Sequence, residues 1–301
     1  MMPRFNIFRG SSSASTYSAI VENYDTGNKV HDTRSPSQLG LSGYQHKNVV
    51  VKSGTLSALA DACWANRVVK NMLPHGAGNQ RQDVRASSGE SWARMHLAYQ
   101  KFPHGGIENQ IKRAQKFQGG NCAVHAAVAV AALKERNVSQ PICRVRLQLP
   151  ENNSHEFVML GDPRDPTWGE RNTVVVDAWP THPSACTLDQ SVLHDMQRDT
   201  HAPMTELMAT HNHLLWDASD SANRSDTRRL REVVPLSSEE LQRKLAKAGL
   251  PSLHSDDLVR HALNDDSFNR FDVRVATDPS TTYSDSAGHR GQSVDYLLSH
   301  R

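Results

Sequence analysis

Several absences narrow the class of this 301-residue chain. No stretch reaches the ~18 consecutive apolar residues of a membrane-spanning helix, so no integral membrane segment is expected. Charge of one sign does not dominate: 34 basic residues face 32 acidic ones, for a net charge of +2. That balance removes the electrostatic case for a nucleic-acid partner. The four cysteines, Cys63, Cys122, Cys143 and Cys186, are irregularly spaced and form no CxxC pair. They read neither as a disulfide scaffold nor as a zinc ribbon, and a reducing compartment is expected where the protein acts. The N-terminus lacks the apolar run of a cleavable signal peptide, and Met2 excludes N-myristoylation. No internal repeat is present. Hydrophobic residues make up only 37% of the chain, below the about 45–50% usual for globular proteins. One moderate core with long polar flanks is the expectation.

Residues 1–48 are rich in Ser, Thr, Asn, Gly and Asp and show no apolar period. They hold too little apolar area to offset the entropy of ordering, so a flexible leader is expected. A Ser-rich leader of this kind resembles those of bacterial type III secretion substrates. The resemblance implies secretion into a host cell, with a secretion chaperone as a candidate partner at this end. Residues 49–182 carry the strong periodic patterns of a folded core. Residues 183–275 read as a mainly helical extension, and 276–301 as a flexible polar tail.

Within the core, Leu56, Leu59, Ala60, Cys63, Val68, Val69 and Met72 recur at helical spacing, with Ser53 or Thr55 as a cap. The motif Pro74-His75-Gly76-Ala77-Gly78-Asn79 then breaks the chain into a loop. Helices are predicted over Gly89–Phe102, opened by Ser88 or Ser91, and over Ile107–Phe117. Ile142–Leu149 alternates apolar and charged residues, the signature of a half-buried strand. His155–Gly161 and Thr173–Pro180 read as two further strands. Three strands joined by short connections predict an antiparallel sheet against helices, an α+β fold. Beyond it, Leu188–Leu215 reads as helical in pieces and Arg228–Val234 as a short strand or helix. Ser237 with Glu240 forms a capping box that opens a helix ended by Gly249. A short helix is predicted over Ser255–Leu263.

The stretch around which the chain is organised is Gln118-Gly119-Gly120-Asn121-Cys122, which runs directly into the alanine-rich helix Ala123–Leu133. Helix starts leave N–H groups unpaired and carry partial positive charge. A thiol there is favoured as a nucleophile. Acyl transfer by a thiol also needs a base, a group that orients the base, and donors for the oxyanion. His155 opens one predicted strand and Asp177 closes the next, and antiparallel pairing brings those two ends together. Cys122 is therefore the expected nucleophile, His155 the base and Asp177 its orienting partner. The Cys122 backbone N–H and the side-chain amide of Gln118 or Asn121 are the expected oxyanion donors. His125 competes with His155, being three residues beyond Cys122 on the same helix face, but a base usually arrives from another element. Cys63 and Cys143 fall on apolar faces and read as structural.

The segments Gly120-Asn121-Cys122, His155-Glu156-Phe157-Val158-Met159-Leu160-Gly161 and Val174-Val175-Val176-Asp177-Ala178-Trp179-Pro180 resemble the papain-like Cys-His-Asp cores of bacterial toxins and type III effectors. That group includes thiol proteases and glutamine deamidases. The resemblance spans roughly residues 90–182. It implies a papain-like core, with a helical half carrying the cysteine and a small antiparallel sheet carrying His and Asp. It also implies a Cys122-His155-Asp177 triad, a host protein as substrate, and no cofactor or metal. Proteolysis, glutamine deamidation and transglutamination share the same acyl-enzyme, so the triad alone does not separate them.

Two other classes compete. A metal-dependent hydrolase would draw ligands from His211, His213 and Asp217, or from His194, Asp195 and His201, none at a recognised zinc spacing. A non-catalytic host-interaction protein would make the triad coincidental, and the long polar flanks favour it.

Overall fold

In the computed structural model the described residues are 34–148, 154–192, 223–268 and 271–291. The chain enters through a 3-10 turn, Pro36–Leu39, capped by Ser35, and a strand, β1 (Asn48–Val51), that buries Val49 and Val51. Five helices follow: α1 (Ser53–Met72), α2 (Arg81–Ala86), α3 (Glu90–Lys101), α4 (Ile107–Phe117) and α5 (Cys122–Arg136). The main sheet is built from β2 (Ile142–Gln148), β3 (Ser154–Leu160), β4 (Val174–Val176) and β5 (Cys186–Thr187), with the short helix α6 (Gly169–Asn172) between β3 and β4. Its spatial order is β2-β3-β4-β5 and every pairing is antiparallel. The C-terminal part contributes α7 (Arg224–Arg231), α8 (Ser238–Lys247), α9 (Asp256–Asn264), β6 (Thr282–Asp285) and β7 (Arg290–Gly291). The α+β class expected from the strand and helix patterns is the one observed.

Helix α5 is the axis of the molecule. Every residue from Cys122 to Leu133 is buried, as a helix apolar on all sides must be. Its alanines let α1, α4 and β3 pack closely around it. The side chain of Asn121 caps its start by accepting the Ala123 N–H, and left-handed Asn137 (φ 57°) ends it. The main core joins Val68 and Met72 of α1, Val128 and Leu133 of α5, and Val158, Leu160, Val174 and Val176 of the sheet. The other face of the sheet buries Val145, Phe157, Met159, Val175 and Leu188. A further cluster sets Trp92 and Met95 of α3 against Leu241, Leu245 and Leu258 of α8 and α9. Each such fully buried side chain contributes about 1.5–3 kcal/mol, so the C-terminal helices are part of the same packed body.

Some local expectations give way to long-range pairing. Residues 276–291 form β6 and β7 rather than a flexible tail. Strand β6 pairs in parallel with β1, Val49 opposite Tyr283, and Tyr283 enters the main core. Residues 34–48, expected in the leader, include buried Leu39, and Arg274 Nη1 donates to the Gln38 carbonyl. Arg228–Val234 is resolved as the end of α7 and its exit. Neither Ser53 nor Thr55 caps α1; Lys52 precedes it with no side-chain cap bond. Left-handed Gly89 takes the place expected for Ser88 before α3. Ser237 does cap α8, accepting the Glu240 N–H. Residues 1–33 and most of the 188–215 segment lie outside the described residues.

Candidate active site

The turn into α5 is made by close approach. Gln118 adopts a left-handed conformation (φ 50°) at the end of α4. A Cβ on Gly119 would lie 2.8 Å from the Arg94 carbonyl carbon and the Met95 nitrogen, and one on Gly120 would strike Val124 at 2.3 Å. Glycine at both positions lets the turn press against α3 and α5. The loop before α2 docks here as well, with the Gly78 N–H donating to the Gly120 carbonyl at 3.0 Å. The Asn121 cap is fixed from outside by the Tyr99 hydroxyl, which donates to its Oδ1 at 2.7 Å. Cys122 follows as the first residue of α5 and opens onto a cleft of about 340 Å³. Asn79, Tyr99, Arg146, Glu156, Phe268 and Phe271 are among the residues lining that cleft.

His155 and Asp177 meet because of strand register. Val158 lies opposite Val176 in the β3–β4 pair. Continuing that register past the end of β4 brings Asp177 level with Phe157, two residues from His155. His155 Nε2 lies 2.7 Å from Asp177 Oδ2, and both side chains are almost wholly buried. The other Asp177 oxygen accepts the Trp179 N–H at 3.1 Å. The Trp179 ring lies against the imidazole, with centroids 4.4 Å apart, and packs with Cys122 in one small cluster.

Burial works against the charged form of the His155 imidazole. The Asp177 carboxylate outweighs it through charge and hydrogen bonding, with Cys122 adding to the effect, and the imidazole pKa is held well above the usual histidine value, at about 10. The second ring nitrogen, Nδ1, is buried with no formed hydrogen bond. Cys122 is near enough to favour the imidazolium, yet falls short of a fully aligned bond, a looseness common before substrate arrives. Three expected residues, Cys122, His155 and Asp177, are thus gathered at one place.

His125 is elsewhere engaged. Its Nδ1 bonds the Asn121 carbonyl at 2.9 Å. Burial, then the Lys70 charge, push its pKa down to about 3, so it stays neutral inside the core.

The oxyanion expectation needs a correction at Gln118. That side chain does not line the cleft. Its Nε2 donates to the carbonyls of Ala114, Gln115 and Val234, and its Oε1 accepts from the Leu236 N–H and from Arg94. The left-handed backbone at Gln118 turns the amide toward this seam, where it ties α4 to the segment before α8. Asn121 does line the cleft, although its oxygen is taken by the cap and by Tyr99. Sequence reasoning missed Asn79. Trp179 Nε1 donates to Asn79 Oδ1 at 2.9 Å, which leaves the Asn79 NH2 as the end available to the cleft beside Cys122. The C-terminal part fixes this loop, with the Phe271 N–H donating to the Asn79 carbonyl and the Arg81 N–H to the Phe271 carbonyl. The only signal in the sequence was the Gly76-Ala77-Gly78-Asn79 turn itself.

The remaining cysteines are unlike Cys122 in setting. All four are free. Burial pushes the Cys63 thiol up to about 12 and the Cys143 thiol to about 11, and raises Cys186 too. Among the described residues, no three His, Cys, Asp or Glu side chains gather as a metal site. His194, Asp195, His201, His211, His213 and Asp217 lie outside the described residues. No described helix is long and apolar enough to cross a membrane. No family model, curated protein or solved structure matches the chain, so function is argued from the geometry of this site.

Proposed function

We propose that the protein is a cysteine-nucleophile amide hydrolase of the papain-like kind, acting on a host protein after secretion, by a type III route, from a bacterium. The observation that carries the catalytic part is the His155 imidazole, bonded through Nε2 to Asp177 and left with a free Nδ1 beside Cys122. The Ser-rich leader composition carries the secretion part.

The chemistry follows from these groups. The Cys122 sulfur attacks the amide carbon, and the carbonyl oxygen gains charge. The Cys122 backbone N–H and the Asn79 amide are the donors for that oxyanion; fixed donors of this type stabilise the transition state by several kcal/mol. His155 Nδ1 gives its proton to the departing nitrogen, and an acyl thioester with Cys122 remains. The same nitrogen then takes a proton from water, which attacks the thioester and releases the acid and the free thiol. Asp177 keeps the ring oriented throughout and stabilises the imidazolium before the proton is given up and again once it is regained.

Intact-mass analysis of host proteins incubated with the enzyme tests this reading. A gain of about one dalton, the replacement of NH2 by OH, marks deamidation, and fragments mark proteolysis. Both should vanish with Cys122→Ala. Modification that persists with this variant would refute the mechanism. Binding of a host protein with no mass change would favour the non-catalytic alternative.

A further inference from the structure

We propose that the Cys122 cleft contains a subsite for a basic side chain, lysine or arginine, flanking the attacked amide. Glu156 is its floor, and Phe268 and Phe271 form its wall. The subsite takes its meaning as substrate recognition from the reading of Cys122 as nucleophile.

Glu156 follows His155 on β3 and is only 6% exposed. Its Oε1 receives two bonds from Arg146, from Nε at 2.9 Å and from Nη2 at 2.5 Å. Its Oε2 accepts no hydrogen bond from the described residues, yet the side chain lines the cleft. The carboxylate therefore keeps an acceptor oxygen that Arg146 does not engage on a side chain facing the cleft, and a cationic donor brought by substrate forms a charge-assisted hydrogen bond to it.

The charge balance favours a cation. Arg146 already sits on Glu156, but its side chain is 44% exposed, against 8% for the carboxylate. Water screens the guanidinium far more than the sheltered carboxylate, which keeps its field inside the cleft. Arg113 lies nearby, over the face of Tyr99 at 3.5 Å, but its donors are spent on the Phe102 and His104 carbonyls and on Gln110. It does not line the cleft.

The aromatic rings complete the match. Phe268 meets Tyr99 edge-on at 5.3 Å and Phe271 meets Trp179 at 5.0 Å. Both phenylalanines line the same cleft as Glu156. Aromatic walls beside a carboxylate suit a long apolar stem with a cationic head. An acidic side chain would meet like charge, and a neutral one would leave Oε2 unused.

Charged thiol reagents test the subsite without a known substrate. The full chain is treated with a trimethylammonium-ethyl or a sulfonato-ethyl methanethiosulfonate, and with neutral iodoacetamide. Labelling of each cysteine is followed by mass spectrometry. At Cys122 the cationic reagent should react roughly tenfold faster than the anionic one, as an incompletely screened charge within the cleft requires. Glu156→Gln should bring that ratio to one or below, since Arg146 then lacks its counter-charge, while the iodoacetamide rate holds. Arg146→Gln should raise the ratio, and it carries the test if the Glu156 variant fails to fold. Equal rates in the unmodified protein, or a ratio unaffected by either substitution, would overturn the subsite. Failure of iodoacetamide to favour Cys122 over Cys143 would instead refute the nucleophile reading. The charge ratio at Cys122 would still decide whether Glu156 shapes a cation site.

Discussion

His155 Nε2 and Asp177 Oδ2 lie 2.7 Å apart in a setting from which water is excluded. That one bond decides both the charge of the imidazole and which of its nitrogens is left for Cys122. Asp177→Asn removes the charge and keeps the shape. The imidazole pKa should then fall from about 10 toward or below the ordinary histidine value, because burial is no longer opposed. Turnover should drop by about 10⁴-fold, the usual effect of losing the orienting carboxylate. Titration of the ring by NMR, alongside rate measurements, checks both.

Asn79 and Gln118 separate catalysis from stability. Asn79→Ala should lower turnover by about 10²–10³-fold, the usual effect of losing one oxyanion donor. It should leave iodoacetamide labelling of Cys122 intact, because that reaction develops no oxyanion. Gln118→Ala should do the opposite. It strands the Leu236 N–H and several buried carbonyls and should cost about 1–3 kcal/mol of folding stability. Urea unfolding and steady-state kinetics on both variants distinguish the two roles.

The two buried histidines give opposite pH signatures. A raised pKa at His155 means that its contribution to stability is complete below the unfolded value of about 6.5 and is lost as pH rises toward about 10. A depressed pKa at His125 means that its contribution is present above about 6.5 and is lost as pH falls toward about 3. His155→Gln should therefore flatten the alkaline limb of the stability curve, and His125→Gln the acid limb. Each change should approach ~1.4 kcal/mol per pH unit, one proton's worth. Urea unfolding across pH measures both slopes.

Cys122→Ala removes little packing and should change folding stability by no more than about 1 kcal/mol. Activity should disappear. His155→Ala should also abolish activity, whereas a folded His125→Gln variant should retain most of it, because His125 is tied to the helix cap. An inactive, well-folded His125→Gln protein would reassign the base.

The parts of this site that were legible are those whose signal is local. The glycine turn and alanine run announced the start of α5 at Cys122. The strand runs His155–Gly161 and Val174–Asp177 placed His155 and Asp177 at matching strand ends, and antiparallel register did the rest. Asn79 was hidden because its role comes from Trp179 and Phe271, which are remote in the chain. Gln118 misled because the direction of its side chain depends on one left-handed residue at a helix end. β6 lies in a stretch that reads as tail because its strand content comes from pairing with remote β1 on one side and with β7 on the other. The Ser53 and Ser88 caps failed for a smaller reason: a neighbouring backbone conformation moved each helix start by a residue or two.

The most direct test of the account is the rate at which iodoacetamide labels Cys122 relative to Cys143. Both residues are 6% exposed, so access alone does not separate them. Cys122 should label at least ~10-fold faster near neutral pH, and His155→Ala should erase most of that advantage. Equal slow labelling of the two thiols, or a Cys122 rate unaffected by the loss of His155, would contradict a catalytic cysteine.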